Sequence, residues 1–111
     1  KYFKMLIRLL AMAKIKVADK SEIKEGQAKL VNANGKEIAL FNLNNQFFAI
    51  DNVCLHMGGS LAQGGLEDNN VTCPLHGWQY DVKTGQNTMP GTGKLNSYKV
   101  TVENEDIFIE I

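Results

Sequence analysis

Apolar and polar positions alternate in short runs along most of this 111-residue chain, with the two-residue period of half-buried strands. "QAKLVN" (27–32) and "KEIALFNL" (36–43) flank Ala33-Asn34-Gly35, and Asn-Gly tolerates the positive φ angles of a tight hairpin turn. Asn44-Asn45 then turns the chain into "QFFAI" (46–50). Near the end, "YKVTVE" (98–103) places Tyr98, Val100 and Val102 on one face. "ENED" turns it back into "IFIEI", where Ile107, Ile109 and Ile111 share a face. "DKSEIKEG" (19–26) predicts one helical turn capped by Asp19 or Ser21. The pattern predicts an all-β domain of antiparallel strands.

Residues 51–93 break the alternation. They hold both cysteines, both histidines, both prolines and eight of the ten glycines. Turn formers at that density predict two loops raised from a β base, the usual setting for binding chemistry. The predicted organisation is one domain over 13–111, with a base of 13–50 and 94–111 and an insertion over 51–93. Residues 1–12 are expected to be an N-terminal extension or tag-like segment, because "MAKIKVA" from Met12 reads as a natural start.

Charge narrows the function. The formal net charge is zero, but Lys1, Lys4, Arg8 and Lys14 cluster at the start, and the remaining chain is mildly acidic. An acidic body lacks the basic footprint of a nucleic-acid binder. The apolar stretch from Met5 to Ala13 is interrupted by Arg8, and no run reaches the ~18 apolar residues of a spanning helix, so no membrane role is expected. Two cysteines do not make a disulfide scaffold.

The candidate chemistry lies in "CLHMGG" (54–59) and "CPLHGWQYD" (73–81). Cys54-x-His56 and Cys73-x-x-His76 each offer one thiolate and one imidazole. Three readings follow from residue types alone. Buried thiols beside unrelated histidines would require the matched pairs to be coincidence. A structural zinc accepts two cysteines and two histidines, although its cysteines usually share one knuckle. A binuclear iron site could divide the same four ligands between two metals.

The stretch from Cys54-Leu55-His56 through "GGSLAQGGLEDNNVTCPLHGWQYDVKTG", with Pro90 and "YKVTV", resembles the Rieske family. It is most similar to the ferredoxin components of ring-hydroxylating dioxygenases, over roughly residues 13–111. The resemblance implies stacked antiparallel sheets with a cluster-binding loop subdomain and one Rieske-type 2Fe-2S cluster. Cys54 and Cys73 would hold the inner iron, and His56 and His76 the outer one. Gly58, Pro74, Gly77, Trp78, Tyr80 and Pro90 would surround it, Pro90 closing a third loop.

That resemblance implies a cytoplasmic one-electron carrier rather than an enzyme. Its partners would be a flavin-dependent NAD(P)H reductase and a terminal oxygenase or other oxidoreductase. The alternatives are a small subunit of a nitrite reductase-like complex and a structural zinc module. Histidine ligation implies a potential within about −150 to +300 mV. High-potential members carry a disulfide-forming cysteine where this chain has Gly59 and Leu75, and a serine where it has Trp78. The expected potential is therefore low, raised slightly by Tyr80, which matches a tyrosine that bonds a cysteine sulfur.

Overall fold

The computed structural model describes residues 13–56, 58–75, 77–89 and 91–111. The expectations for residues 1–12, His76 and Pro90 fall outside the described residues. Ten strands follow in order: β1 (Lys14–Asp19), β2 (Ala28–Ala33), β3 (Lys36–Leu43), β4 (Gln46–Asp51), β5 (Gly65–Glu67), β6 (Asn70–Thr72), β7 (Gln79–Asp81), β8 (Ser97–Tyr98), β9 (Val100–Glu103) and β10 (Asp106–Glu110). They form three antiparallel sheets, ordered β1-β10-β9, β2-β3-β4-β8 and β5-β6-β7.

The predicted hairpins form where their turn chemistry placed them. Ala33 pairs with Lys36, so Asn34 (φ 52°) and Gly35 (φ 80°) are the two-residue turn between β2 and β3. Leu43 pairs with Gln46, and Asn44 (φ 52°) and Asn45 (φ 65°) turn the chain in the same way. Asn104 (φ 56°) opens the β9–β10 turn. The predicted helical turn is a short 3-10 segment, Lys20–Glu22, and the Glu22 carboxylate accepts the backbone N–H of its cap residue Asp19.

The four-stranded sheet is the middle layer, and β3 shows why its sequence reads as a continuous apolar run. Ile38, Ala39, Leu40 and Phe41 are all fully buried. Ile38 and Leu40 face Ala18, Ile23, Ile107 and Ile109 of the β1-β10-β9 side. Ala39 and Phe41, with Ile50 of β4, face the other way onto Leu61, Val71, Tyr80, Val82, Leu95 and both cysteines. Burial of each large side chain contributes about 1.5–3 kcal/mol, so the two cores lock three layers together.

One expectation needs revision. "YKVTVE" is two strands: Ser97 and Tyr98 pair with Ile50 and Ala49, whereas Val100–Glu103 pairs with β10. The chain changes sheet at Lys99, whose carbonyl accepts the Glu110 N–H at 3.0 Å. Asp51 fixes the crossing, one carboxylate oxygen accepting the Tyr98 hydroxyl at 2.5 Å and the other the Asn96 N–H at 3.0 Å. Tyr98 and Val100 still pack on one core, but Val102 lies past its edge and is 40% exposed. The small sheet β5-β6-β7 was not anticipated, because three-residue strands are too short to show a period.

Candidate metal centre

Two loops rise from the small sheet and its neighbour, and the same pair of backbone bonds closes each. In the first, Cys54 N–H donates to the Gly59 carbonyl at 2.9 Å and Gly58 N–H to the Cys54 carbonyl at 3.0 Å. In the second, Cys73 N–H donates to the Trp78 carbonyl at 2.7 Å and Gly77 N–H to the Cys73 carbonyl at 3.1 Å. The closing residue has positive φ in both loops, 71° at Gly58 and 76° at Gly77, which is why glycine stands at each. Below them, the Val53–Ser60 bridge pins the first loop and the Thr72–Gln79 pair pins the second.

This equivalence brings the cysteines together. Cys54 and Cys73 are each 2% exposed, and neither forms a disulfide. Burial pushes the Cys73 thiol up; the Leu75 N–H pulls against it, the neighbouring Cys54 raises it further, and the Gly59 N–H lowers it. Thus two backbone amides, one from each loop, serve the Cys73 sulfur. Gly59 stands so close that a Cβ there would lie 2.7 Å from Cys73 Sγ and 3.1 Å from Leu75 Cγ.

Tyr80 reaches up from β7. It is fully buried, its hydroxyl lies 3.4 Å from Cys54 Sγ and accepts the Leu55 N–H at 3.1 Å. Burial first, then the Cys54 sulfur, pushes the phenol up; in the contact between hydroxyl and sulfur either atom can donate. The contact with Cys54 is the one the resemblance assigned to this residue.

His56 sits on the outer side and is exposed. Its ring lies flat on the Trp78 indole of the other loop, with centroids 4.6 Å apart and planes inclined by 4°. Trp78 is half-buried and also packs against the core that contains the cysteines. The sequence supports the packing role; the cross-loop stack was invisible in it. Pro74 is an exposed turn residue before Leu75. His76 lies outside the described residues.

Sequence reasoning missed Asn52, buried at the root of the first loop. Its Oδ1 accepts the Ala62 N–H at 2.8 Å, its Nδ2 donates to Ser60 Oγ at 3.0 Å, and its carbonyl accepts the Leu61 N–H at 2.9 Å. Only the turn propensity of asparagine marked this position. Asp81 accepts the Lys83 N–H at 2.8 Å and so stabilises a turn.

The donor set fits a cationic iron site. Two adjacent buried thiols with amides directed at sulfur would be stabilised as thiolates by a bound cation, which deprotonates a coordinating thiol. The exposed imidazole supplies a nitrogen donor on the outer side.

Comparison with known proteins agrees. The model of the Rieske [2Fe-2S] domain matches residues 13–99. The 3-phenylpropionate/cinnamic acid dioxygenase ferredoxin subunit of Shigella boydii serotype 4 (strain Sb227) is 38% identical over 102 residues, covering 90% of this chain and 95% of the relative. Among solved structures, the ferredoxin of carbazole 1,9a-dioxygenase from Nocardioides aromaticivorans IC177 superposes with a TM-score of 0.82 at 27% identity, covering 87% of this chain and 96% of that one. A ferredoxin solved in a complex of reduced oxygenase and oxidized ferredoxin in carbazole 1,9a-dioxygenase gives 0.80 at 29% identity, covering 87% and 92%. With both cysteine loops inside the matched span and both cysteines buried in one core cluster, this chain belongs to the Rieske [2Fe-2S] family.

Proposed function

We propose that this protein is a one-electron carrier, the ferredoxin component of a dioxygenase system. It takes electrons from a flavin-dependent NAD(P)H reductase and delivers them to a terminal oxygenase. Cys54 and Cys73 hold one iron of the 2Fe-2S cluster, and His56 and His76 hold the other. The cluster supplies a reversible one-electron acceptor whose oxidised form, with two thiolates and two neutral imidazoles, carries no net formal charge.

The observation that carries this reading is the contrast in exposure across one site. Both sulfurs are buried and served by amides and a phenol, whereas His56 is exposed. The sulfur side is therefore fixed and dry, and the imidazole side faces a partner. His56 rests on Trp78, which steadies its plane from behind. The names of the relatives support an oxygenase as the acceptor.

Among the described residues no helix is long and apolar enough to cross a membrane. We place the protein in the cytoplasm, where an NAD(P)H-dependent donor operates.

Anaerobic reconstitution with iron and sulfide tests the reading. The expected product is reddish-brown, holds iron and acid-labile sulfide in equal amounts, and takes up one electron with a rhombic EPR signal. Colourless protein with stoichiometric zinc would establish the structural-metal alternative instead. His76→Cys should lower the potential or abolish assembly.

A further inference from the structure

Three stretches at the cysteine end of the chain carry no formal charge. No Asp, Glu, Lys or Arg occurs in 52–66, 69–80 or 84–93, although 22% of the whole chain is charged. The same stretches hold most of the protruding apolar side chains. Of the six large hydrophobic residues exposed among the described residues, four are here: Val53, Leu55, Leu75 and Met89, each 43–51% accessible. A single exposed leucine is ordinary on a protein surface, but four on touching, uncharged loops are not.

The loops meet through these residues. A Cβ on Gly59 of the first loop would lie 3.1 Å from Leu75 Cγ of the second, and one on Gly93 of the third would lie 3.0 Å from Leu55 Cδ1 of the first. The third loop also holds Met89, whose carbonyl accepts the Thr92 N–H at 3.4 Å. Val53 and Leu55 line a hollow of about 490 Å³ whose lining also includes Cys54 and Leu95. Charge resumes at the border in both signs, with Lys36, Glu37 and Asp51 lining the same hollow and Lys94 following the third loop. Asp51 is already engaged by the Tyr98 hydroxyl and the Asn96 N–H. An apolar centre with a mixed polar rim is the anatomy of a protein–protein contact.

We propose that Val53, Leu55, Leu75 and Met89 form a charge-free docking surface for the terminal oxygenase, which meets it with an uncharged apolar face. The inference rests on the ferredoxin reading and names the chemistry of that partner contact. Charge decides against other occupants. A nucleic acid or an anionic membrane would find no lysine or arginine in these loops to neutralise it. A partner face bearing charge of either sign would shed its water and gain no counter-charge in return. Association therefore draws on buried apolar area, and long-range attraction adds little to the encounter. Exposed His56 follows Leu55 directly, so a partner seated on Leu55 stands beside the imidazole.

Isothermal titration calorimetry of the reconstituted protein tests this, with the oxygenase of 3-phenylpropionate/cinnamic acid dioxygenase as the probe. Kd should change by less than about threefold between low and high salt, whereas electrostatic steering is worth about 10- to 1,000-fold in association rate at low salt. The heat-capacity change should be negative. Leu55→Lys and, independently, Met89→Lys should each weaken binding at least about tenfold with the visible spectrum unchanged, and Leu55→Met should bind as the parent does. Val102→Lys, 40% exposed on β9, should also bind as the parent. A larger salt dependence, no binding, or lysine variants in the loops that bind normally overturn the proposal. So does a lysine effect confined to a titration with the reductase, or to self-association of the parent in sedimentation. Parent protein that takes up no iron and sulfide overturns the ferredoxin reading itself, whereas a normal spectrum with salt-dependent binding overturns only the docking surface.

Discussion

Tyr80→Phe removes one oxygen from the middle of the site and nothing else. The hydroxyl stands 3.4 Å from Cys54 Sγ, a normal length for a bond to sulfur, and the ring is fully buried and fixed by Val71 and Asn87 across β7. A hydrogen bond to a charged acceptor is worth about 1.5–3 kcal/mol. Only the part that grows on reduction affects the potential. Taking a third to a half of the bond gives about 0.5–1.5 kcal/mol, which converts to ~20–65 mV for one electron. The potential of Tyr80→Phe should fall by that amount in protein-film voltammetry. The Leu55 N–H also loses its acceptor. Leu55 is 50% exposed, so water can replace the phenol, and the stability cost belongs near the low end of about 1–3 kcal/mol. An unchanged or raised potential, with the visible spectrum intact, would refute donation from Tyr80 to sulfur.

Three further outcomes follow from packing and charge. Gly59→Ala would put a methyl 2.7 Å from Cys73 Sγ, so it should lose about 1–3 kcal/mol and most of its cluster, whereas Gly65→Ala, with open space at its Cβ, should retain both; iron per chain and thermal melting read the difference. Trp78→Ala removes the ring beneath His56, worth about 0.5–1.5 kcal/mol, and should shorten the cluster's lifetime at elevated temperature by up to about tenfold, with Trp78→Phe restoring most of it. Tyr98 is pushed up to about 12, by burial first and then by Asp51, from the ordinary phenol value of 10.0. The unfolded chain thus loses this proton before the native one, and Tyr98's contribution is full below pH 10 and is lost as pH rises toward 12, on the order of 3 kcal/mol at most. Chemical denaturation across that window should show a falling stability that Tyr98→Phe flattens.

How much of this was legible in the sequence depended on whether a signal was local. Asn34-Gly35 and Asn44-Asn45 announce turns because positive φ is a property of the residues themselves. The alternation in 107–111 reports a sheet face directly, as the buried Ile107 and Ile109 show. The cysteine loops were legible as motifs, and Tyr80 was placed through the family pattern. What escaped was pairing at a distance. The switch of sheets at Lys99 depends on Asp51 meeting Tyr98 and Asn96, and no period within "YKVTVE" encodes a partner 47 residues away. The stack of His56 on Trp78 joins two loops, and Asn52 braces a loop eight to ten residues downstream. Each of these contacts exists only once the layers have assembled.

The site and the core are the same object on one side of the central sheet. Cys54 and Cys73 belong to the cluster of buried side chains that includes Ala39, Phe41 and Ile50, while the opposite face of those strands packs on a separate core. A protein that only had to bind a metal for stability could hold it in a knuckle remote from its hydrophobic centre. An electron carrier gains from the arrangement seen here, because a close-packed interior resists movement and the ligand positions then change little between oxidation states. On the sulfur side Gly59 stands too close to Cys73 Sγ for a side chain, and the Tyr80 hydroxyl lies against Cys54. The imidazole side is different: Leu55 and Leu75 are each about half accessible, and the exposed His56 lies flat on the Trp78 ring. The boundary between these regions runs between the buried cysteines and the exposed histidine.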